Sequence, residues 1–534
     1  MVEFGANKVK TLNRVRSVRA EQTKLTSKLW GLGCAIATMG IVAMGASDPA
    51  SALPSFARQT GQPCGACHTD FPGLTPFGRE FKLGGYTLGG GDYALTPFEG
   101  IGDGATKALD SYAKKLKGKD GKDAKTGDTA GAPDGSYHGW VPPIAMMSIF
   151  QFTHTATDLD PASVFTPFGV NDNTKLGQAS IFWGGAITEH VGAFAQYTYE
   201  PFHGQSDVQN PYDGKEWHWD NVDIRAANSG TIGKVNVTYG LTATNNPSMA
   251  DPWNTTPAWG FPYTDAGDFG KSPAADVMLD GTWAQHVMGA GGYGWFNNLV
   301  YAQLSGFWSL DPSTQGFFGI DPQDGVPGKI DSVAPYWRVA IEPHWGNNWW
   351  EFGVFGMTAS FKPYDLTQVN SANEYTFGTL PQSNRYTDVG FDSQYQYQGD
   401  NYWITGRATY IHESQSFDLL TGASSNTSNT LNSLKLYGSV AYGNDNRFIL
   451  SGQWFDTWGS ADAMLYSANA NNSPNSNGFT LELAYMPYVL SHPKIWPWAN
   501  ARVGVQYTIY NEFDGTSTGA SDNNTFNIYL WVAG

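Results

Sequence analysis

The chain has 534 residues, a formal net charge of −17, and 14 % aromatic side chains against 15 % charged ones. So acidic a chain is a poor partner for nucleic acid. No apolar run after Met44 reaches the ~20 residues of a membrane helix, whereas aromatic richness without such a helix points to a transmembrane barrel of short strands.

Residues 1–52 read as a signal peptide. Lys8, Lys10, Arg14, Arg16, Arg19, Lys24 and Lys28 precede an apolar run from Leu29 to Met44, and Ala50-Ser51-Ala52 offers a small-residue cleavage site. This segment holds seven basic and three acidic residues, so the remainder carries −21. Cys34 would leave with it, and the secreted form keeps Cys64 and Cys67.

Both lie in Cys64-Gly65-Ala66-Cys67-His68, the attachment pattern of c-type haem. Two thiolates add to the haem vinyls, and the next residue's imidazole takes one axial iron site. A thioredoxin-type pair belongs beside a βαβ pattern, absent here, and zinc would need two more ligands at suitable spacing. The expectation is one covalent haem c on Cys64 and Cys67 with His68 as proximal ligand. Residues 53–88 form this module. Thr75 can cap a short helix with Pro76 in its first turn, which puts Phe77 and Phe81 on one face. Those rings, with Phe56, Phe71 and Leu74, would cover a haem face. Fewer than about 40 residues build no independent core, so the module has to lean on something larger. Residues 89–140 are rich in Gly, Asp and Lys, with seven lysines between Lys107 and Lys125. They read as a solvated linker, the functional alternative being a docking strip for an acidic periplasmic partner.

From residue 141 to 534 apolar and polar side chains alternate with period two. Strands are expected near 142–155, 177–187, 191–199, 218–228, 231–243, 275–290, 298–308, 332–345, 349–361, 385–398, 401–413, 430–443, 446–459, 478–488, 500–513 and 524–534. Short turns such as 188–190, 228–230 and 346–348 take turns with long connections such as 156–176, 200–217 and 244–274. An even strand number with short turns on one side and long loops on the other marks a bacterial outer-membrane barrel. The expected fold is all-β: a sixteen-stranded transmembrane β-barrel, in contact with outer-membrane lipid, plugged by the N-terminal haem module at or inside the periplasmic mouth.

In the first strand Gln151, Thr153 and Thr155 define the lumenal face, which puts Met147 on the same side. Met147 is the expected distal haem ligand. Met146 is its register-slip alternative, and His138 and His154 are the imidazole options, His154 falling on the Phe150–Phe152 face. The loop carrying Glu200, His203, Asp207, Asp213, Glu216 and His218 matches no metal spacing and reads as a solvated loop. Asp220, Asp223, Arg225 and Arg407 either line the lumen or form a structural charge network.

Leu53-Pro54-Ser55-Phe56-Ala57-Arg58-Gln59-Thr60-Gly61, running into Cys64 to Thr69 and Leu74-Thr75-Pro76-Phe77-Gly78-Arg79, resembles the fused outer-membrane monohaem cytochrome c–porins of the Cyc2 type from iron-oxidising bacteria. The likeness continues in Phe152-Thr153-His154-Thr155, Asn171-Asp172-Asn173, Asp220 to Arg225 and Trp253 to Pro262. The resemblance implies one covalent haem plugging a sixteen-stranded pore. It also implies an oxidoreductase that takes electrons from extracellular Fe(II) and passes them to a periplasmic c-type cytochrome. Two other readings keep the barrel: a conduit for a different extracellular donor or acceptor, and a solute porin with a structural or sensory haem plug.

Overall fold

The computed structural model describes residues 54–60, 62–88, 143–161, 168–200, 216–256, 260–263, 272–320, 326–365, 378–443, 446–489 and 499–534. The expected signal peptide, the 89–140 linker with His138, and most of the loop between Glu200 and His218 lie outside them.

Sixteen long strands among the described residues form the barrel. They are β1 (Ile144–Thr155), β2 (Asn173–Ala186), β3 (Val191–Tyr199), β4 (Trp217–Ile232), β5 (Val235–Thr244), β6 (Val287–Phe296), β7 (Val300–Ser309) and β8 (Ala334–Ile341). Then follow β9 (Asn348–Lys362), β10 (Asn384–Gln398), β11 (Tyr402–Ser416), β12 (Ser428–Tyr442), β13 (Phe448–Gly459), β14 (Ser476–Tyr485), β15 (Asn500–Glu512) and β16 (Thr525–Ala533). Each pairs antiparallel with the next, and β16 returns onto β1 with Met147 opposite Ala533. Closure leaves no unpaired strand edge.

Alternation assigns the two surfaces. On β14, Phe479, Leu481 and Leu483 are exposed while Thr480 and Glu482 are buried. On β1, Met146 and Phe150 face out while Met147, Gln151 and Thr153 are buried. Exposed aromatics, including Trp183, Trp345, Tyr442 and Phe448, gather near the short turns. An apolar outer belt on a closed antiparallel barrel is a lipid-facing surface, and the protein is an outer-membrane barrel. Leu304 on β7 is 65 % exposed on that belt. Leu304→Arg is expected to cost ~2–4 kcal/mol if it sits at the bilayer midplane, read as a shift of the urea midpoint of the barrel folded into phospholipid vesicles.

Three expectations are corrected. Residues 228–230 are not a turn, because β4 continues to Ile232 and turns at Gly233, whose φ of +65° suits a residue without Cβ. Nor do residues 275–290 form a strand. A short helical turn, Met278–Thr282, lies there, Gly281 has a φ of +109°, and β6 starts only at Val287. The expected long connection 244–274 is, in its described parts, turned inward. Met249, Trp253, Phe261, Val277, Leu279 and Trp283 are all buried. Met278 N donates to Glu413 on β11 at 2.7 Å, and Leu279 N to Asp388 on β10 at 2.9 Å. The apolar alternation of Val277 and Leu279 serves lumenal packing, so the segment mimics a strand without being one.

Candidate functional site

Three helices carry the N-terminal module: α1 (Pro54–Thr60), α2 (Cys64–Cys67) and α3 (Pro76–Leu83). Pro63 precedes α2, and His68 N closes that single turn onto Cys64 O at 3.0 Å. Thr75 caps α3 as expected, its hydroxyl accepting from Gly78 N at 3.1 Å while donating to Ala66 O at 2.6 Å. The two helices touch at Gly78, where a Cβ would lie 2.2 Å from Cys67 O. Only glycine admits so close an approach.

The module lies in the lumen at the short-turn end and is held from nearly every direction. Gly65 N donates to Val489 O at 2.8 Å, in the connection after β14. Tyr86 donates to Asp223 on β4 at 2.6 Å, and Tyr293 on β6 donates to Leu83 O at 2.6 Å. Arg79 pairs with Glu342 at 2.8 Å and donates to Gln396 on β10 at 2.9 Å. Asp70 accepts from Ser439 at 2.7 Å and from Tyr437, both on β12. Arg502 on β15 reaches Phe71 O at 2.7 Å. Buried polar groups without partners cost about 1–3 kcal/mol each, so this network fixes one placement. Asp220, Asp223 and Arg225 are buried, with Arg225 bonded to Asp223 at 2.8 Å. Arg407 sits over the Tyr437 ring at 5.0 Å and 3.9 Å from Asp70. Asp223 and Arg407 meet the module at Tyr86 and Asp70, whereas Asp220 accepts from Gln178, Thr198, Asn221 and Gln285 of the barrel and its connections.

Between module and barrel wall lies a cavity of about 1150 Å3, counting the open space at its mouth. Cys64, Cys67 and His68 line it, with Phe56, Phe71, Leu74 and Phe81. Phe77 does not; it packs beside Glu80 and Asn298 instead. Met147 lines it too, its sulfur accepting from the Trp531 indole N–H at 3.2 Å. Met146 is 56 % exposed on the outer face, and His154, outside the cavity, pairs with Asp172 at 2.8 Å. A second thioether, Met249 of the inward segment, also lines the cavity. Sequence reasoning missed it because the segment was read as an outer loop. Its content of Met249, Trp253 and Phe261 was the available signal, since such residues are poor loop surface.

Burial decides the protonation states. It pushes the Cys64 thiol up to about 11 and the Cys67 thiol up to about 12, the latter helped by its neighbour Cys64. Burial also pushes His68 down to about 4. The imidazole is neutral at ordinary pH, and its Nδ1–H donates to Pro72 O at 3.3 Å. That bond leaves the Nε2 lone pair available to a metal, the usual orientation of a ligating histidine. Among the described residues no trio of His, Cys, Asp and Glu is placed to hold a bare metal ion. Two thiols, one imidazole, two thioethers and an apolar wall instead suit a large, flat, apolar metal complex.

A second cavity of about 1530 Å3, counting the open space at its mouth, carries Gln178, Gln453, Thr457, Thr480 and Thr508. Met147 and Trp531 line both cavities.

No protein-family model matches the chain, and no curated protein matches it. Among solved structures it is similar to Salmonella typhi OmpF in complex with daunomycin, at 12 % identity and a TM-score of 0.40, covering 73 % of this chain and 97 % of that one. It is similar to Acinetobacter baumannii OccAB1 at 10 % identity and 0.35, covering 73 % and 95 %. The figures for Pseudomonas putida OprB are 10 %, 0.35, 73 % and 92 %.

Proposed function

We propose that the protein binds one covalent haem c inside its lumen and carries electrons from extracellular Fe(II) to a periplasmic c-type cytochrome. The observation that carries this reading is the placement of Cys64, Cys67 and His68 on the wall of one apolar lumenal cavity. Haem supplies one-electron chemistry, with a potential set by its axial ligands and surroundings. Cys64 and Cys67 would tether it, and His68, neutral and held by Pro72 O, would bind the iron from one side. Met147 or Met249 would offer sulfur from the other, and a Met ligand raises the potential. Outer-sphere transfer asks for proximity rather than a tight Fe(II) cage. The wall shared by the two cavities supports that, as does the row of rings His68, Phe71 and Trp531, with successive centroids 4.8 Å apart.

The test is anaerobic addition of Fe(II) to the oxidised, purified protein while the haem spectrum is followed. Wild type is expected to reach the dithionite-reduced spectrum. Of Met147→Ala and Met249→Ala, the variant lacking the true ligand is expected to lose the methionine–iron charge-transfer band. Its potential should fall by a visible part of the ~0.8 V that axial ligation spans. Reduction by dithionite but not by Fe(II) overturns the donor. That result would favour a different donor or the solute-porin reading, for which the polar side chains Gln178, Gln453, Thr457, Thr480 and Thr508 in the second cavity speak.

A further inference from the structure

Lys82 lies on α3, one turn beyond Gly78. Four residues advance a helix by ~6 Å along one face, so Lys82 follows the glycine that abuts Cys67. It lines the same cavity as Cys64, Cys67 and His68, in company with Asn221, Asp251 and Asn254. Lys82 is half-buried, and an ammonium drawn out of water is costly unless it is paired. Yet the one acceptor at hand is Asp251 O at 3.4 Å, and among the described residues Lys82 makes no ion pair.

The carboxylates nearest to it are taken. Asp223 accepts from Arg225 at 2.8 Å, Tyr86 at 2.6 Å and Thr242 at 2.8 Å. Asp251 accepts from Trp253 N at 2.8 Å, Thr255 N at 2.7 Å, the Thr255 hydroxyl at 2.7 Å and Thr256 N at 3.0 Å. Asp251 also faces Arg338 at 3.6 Å. Burial and the repulsion of Arg225 push the ammonium down to about 8 against the pull of Asp223 and Asp251. The cavity thus holds a cation with no direct ion-pair partner among the described residues. A haem bound by its vinyl edge presents its two propionates at the opposite edge.

We propose that Lys82 is the counter-ion of a haem propionate, setting the orientation of the haem and holding its potential up; this rests on the covalent-haem reading above. A fixed positive charge beside the haem disfavours the more positive, oxidised iron. Its removal therefore favours oxidation and lowers the potential.

The experiment uses full-length holoprotein in detergent and records the midpoint potential against pH. Lys82→Gln is expected to shift the reduction equilibrium about tenfold toward the oxidised form, ~59 mV for one electron, while Lys82→Arg stays near wild type. An unmoved potential in Lys82→Gln with haem bound overturns the assignment. If the variants do not fold, the wild-type profile decides. A paired propionate stays ionised, so a potential flat between about pH 6 and 8 supports the pair. A slope near 59 mV per pH unit, meaning uptake of one proton per electron, overturns it. Assay of covalent haem on the wild type separates the two readings. Its absence overturns both, whereas haem present with an unmoved potential overturns the Lys82 assignment alone.

Discussion

Replacing both Cys64 and Cys67 by alanine is expected to abolish covalent haem while leaving the barrel folded. On a denaturing gel the peroxidase-active haem stain should vanish from the protein band, and the shift between boiled and unboiled protein should persist. The barrel should survive because the two side chains contribute little to it. Cys64 Sγ meets Asn500 Nδ2 at a long 3.6 Å, and Asn500 keeps its stronger bond to Tyr488 O at 2.8 Å. Each single variant should keep one thioether and an altered pyridine haemochrome spectrum. A haem stain that still travels with the double variant would show attachment elsewhere and sink the assignment.

The largest effect on stability is expected at Arg502. Its guanidinium is buried and pairs with Glu482, donates to Tyr529 Oη at 2.7 Å and to Phe71 O at 2.7 Å, and lies 4.9 Å from the Tyr263 ring centre. One side chain therefore joins β14, β15, β16, the N-terminal module and the inward segment. Arg502→Met would leave Glu482 buried with only Gln506 at 2.8 Å and Tyr529 at 3.0 Å. Removing one partner of a buried pair costs about 3–5 kcal/mol. The chain should unfold at lower denaturant, and adding Glu482→Gln should recover much of the loss, since the stranded charge is then gone. A single variant within about 1 kcal/mol of wild type would mean that the pair is not buried as described.

The barrel was legible because lipid on one side and a polar lumen on the other impose opposite demands on neighbouring residues. Phe479, Leu481 and Leu483 alternate with Thr480 and Glu482 because they cannot do otherwise. Where a segment escapes that two-sided constraint, the pattern misleads. Val277 and Leu279 look strand-like, yet they pack inside the lumen on a helical turn. That Cys64, Cys67 and His68 lie together was legible from their spacing, and the lumenal side of Met147 from the register of β1. Met249 and Lys82 were not, because each faces the cavity through a tertiary arrangement with no short-range signature. An inward-turning loop brings one and the packing of α3 on α2 the other.

The module precedes the barrel in the chain but takes its surroundings from the far end of it. Gly65 is held by Val489, Cys64 sits beside Asn500, and Phe71 packs on Trp531 at 4.8 Å. Contacts of such sequence separation form slowly, since the intervening chain has to be ordered first. No native neighbourhood exists for the two cysteines until β15 and β16 have been laid down. A segment translated before the whole barrel is among the last to reach its final place, and it spends the interval without a core of its own. Any truncation before β16 should leave it stranded, however complete its own sequence.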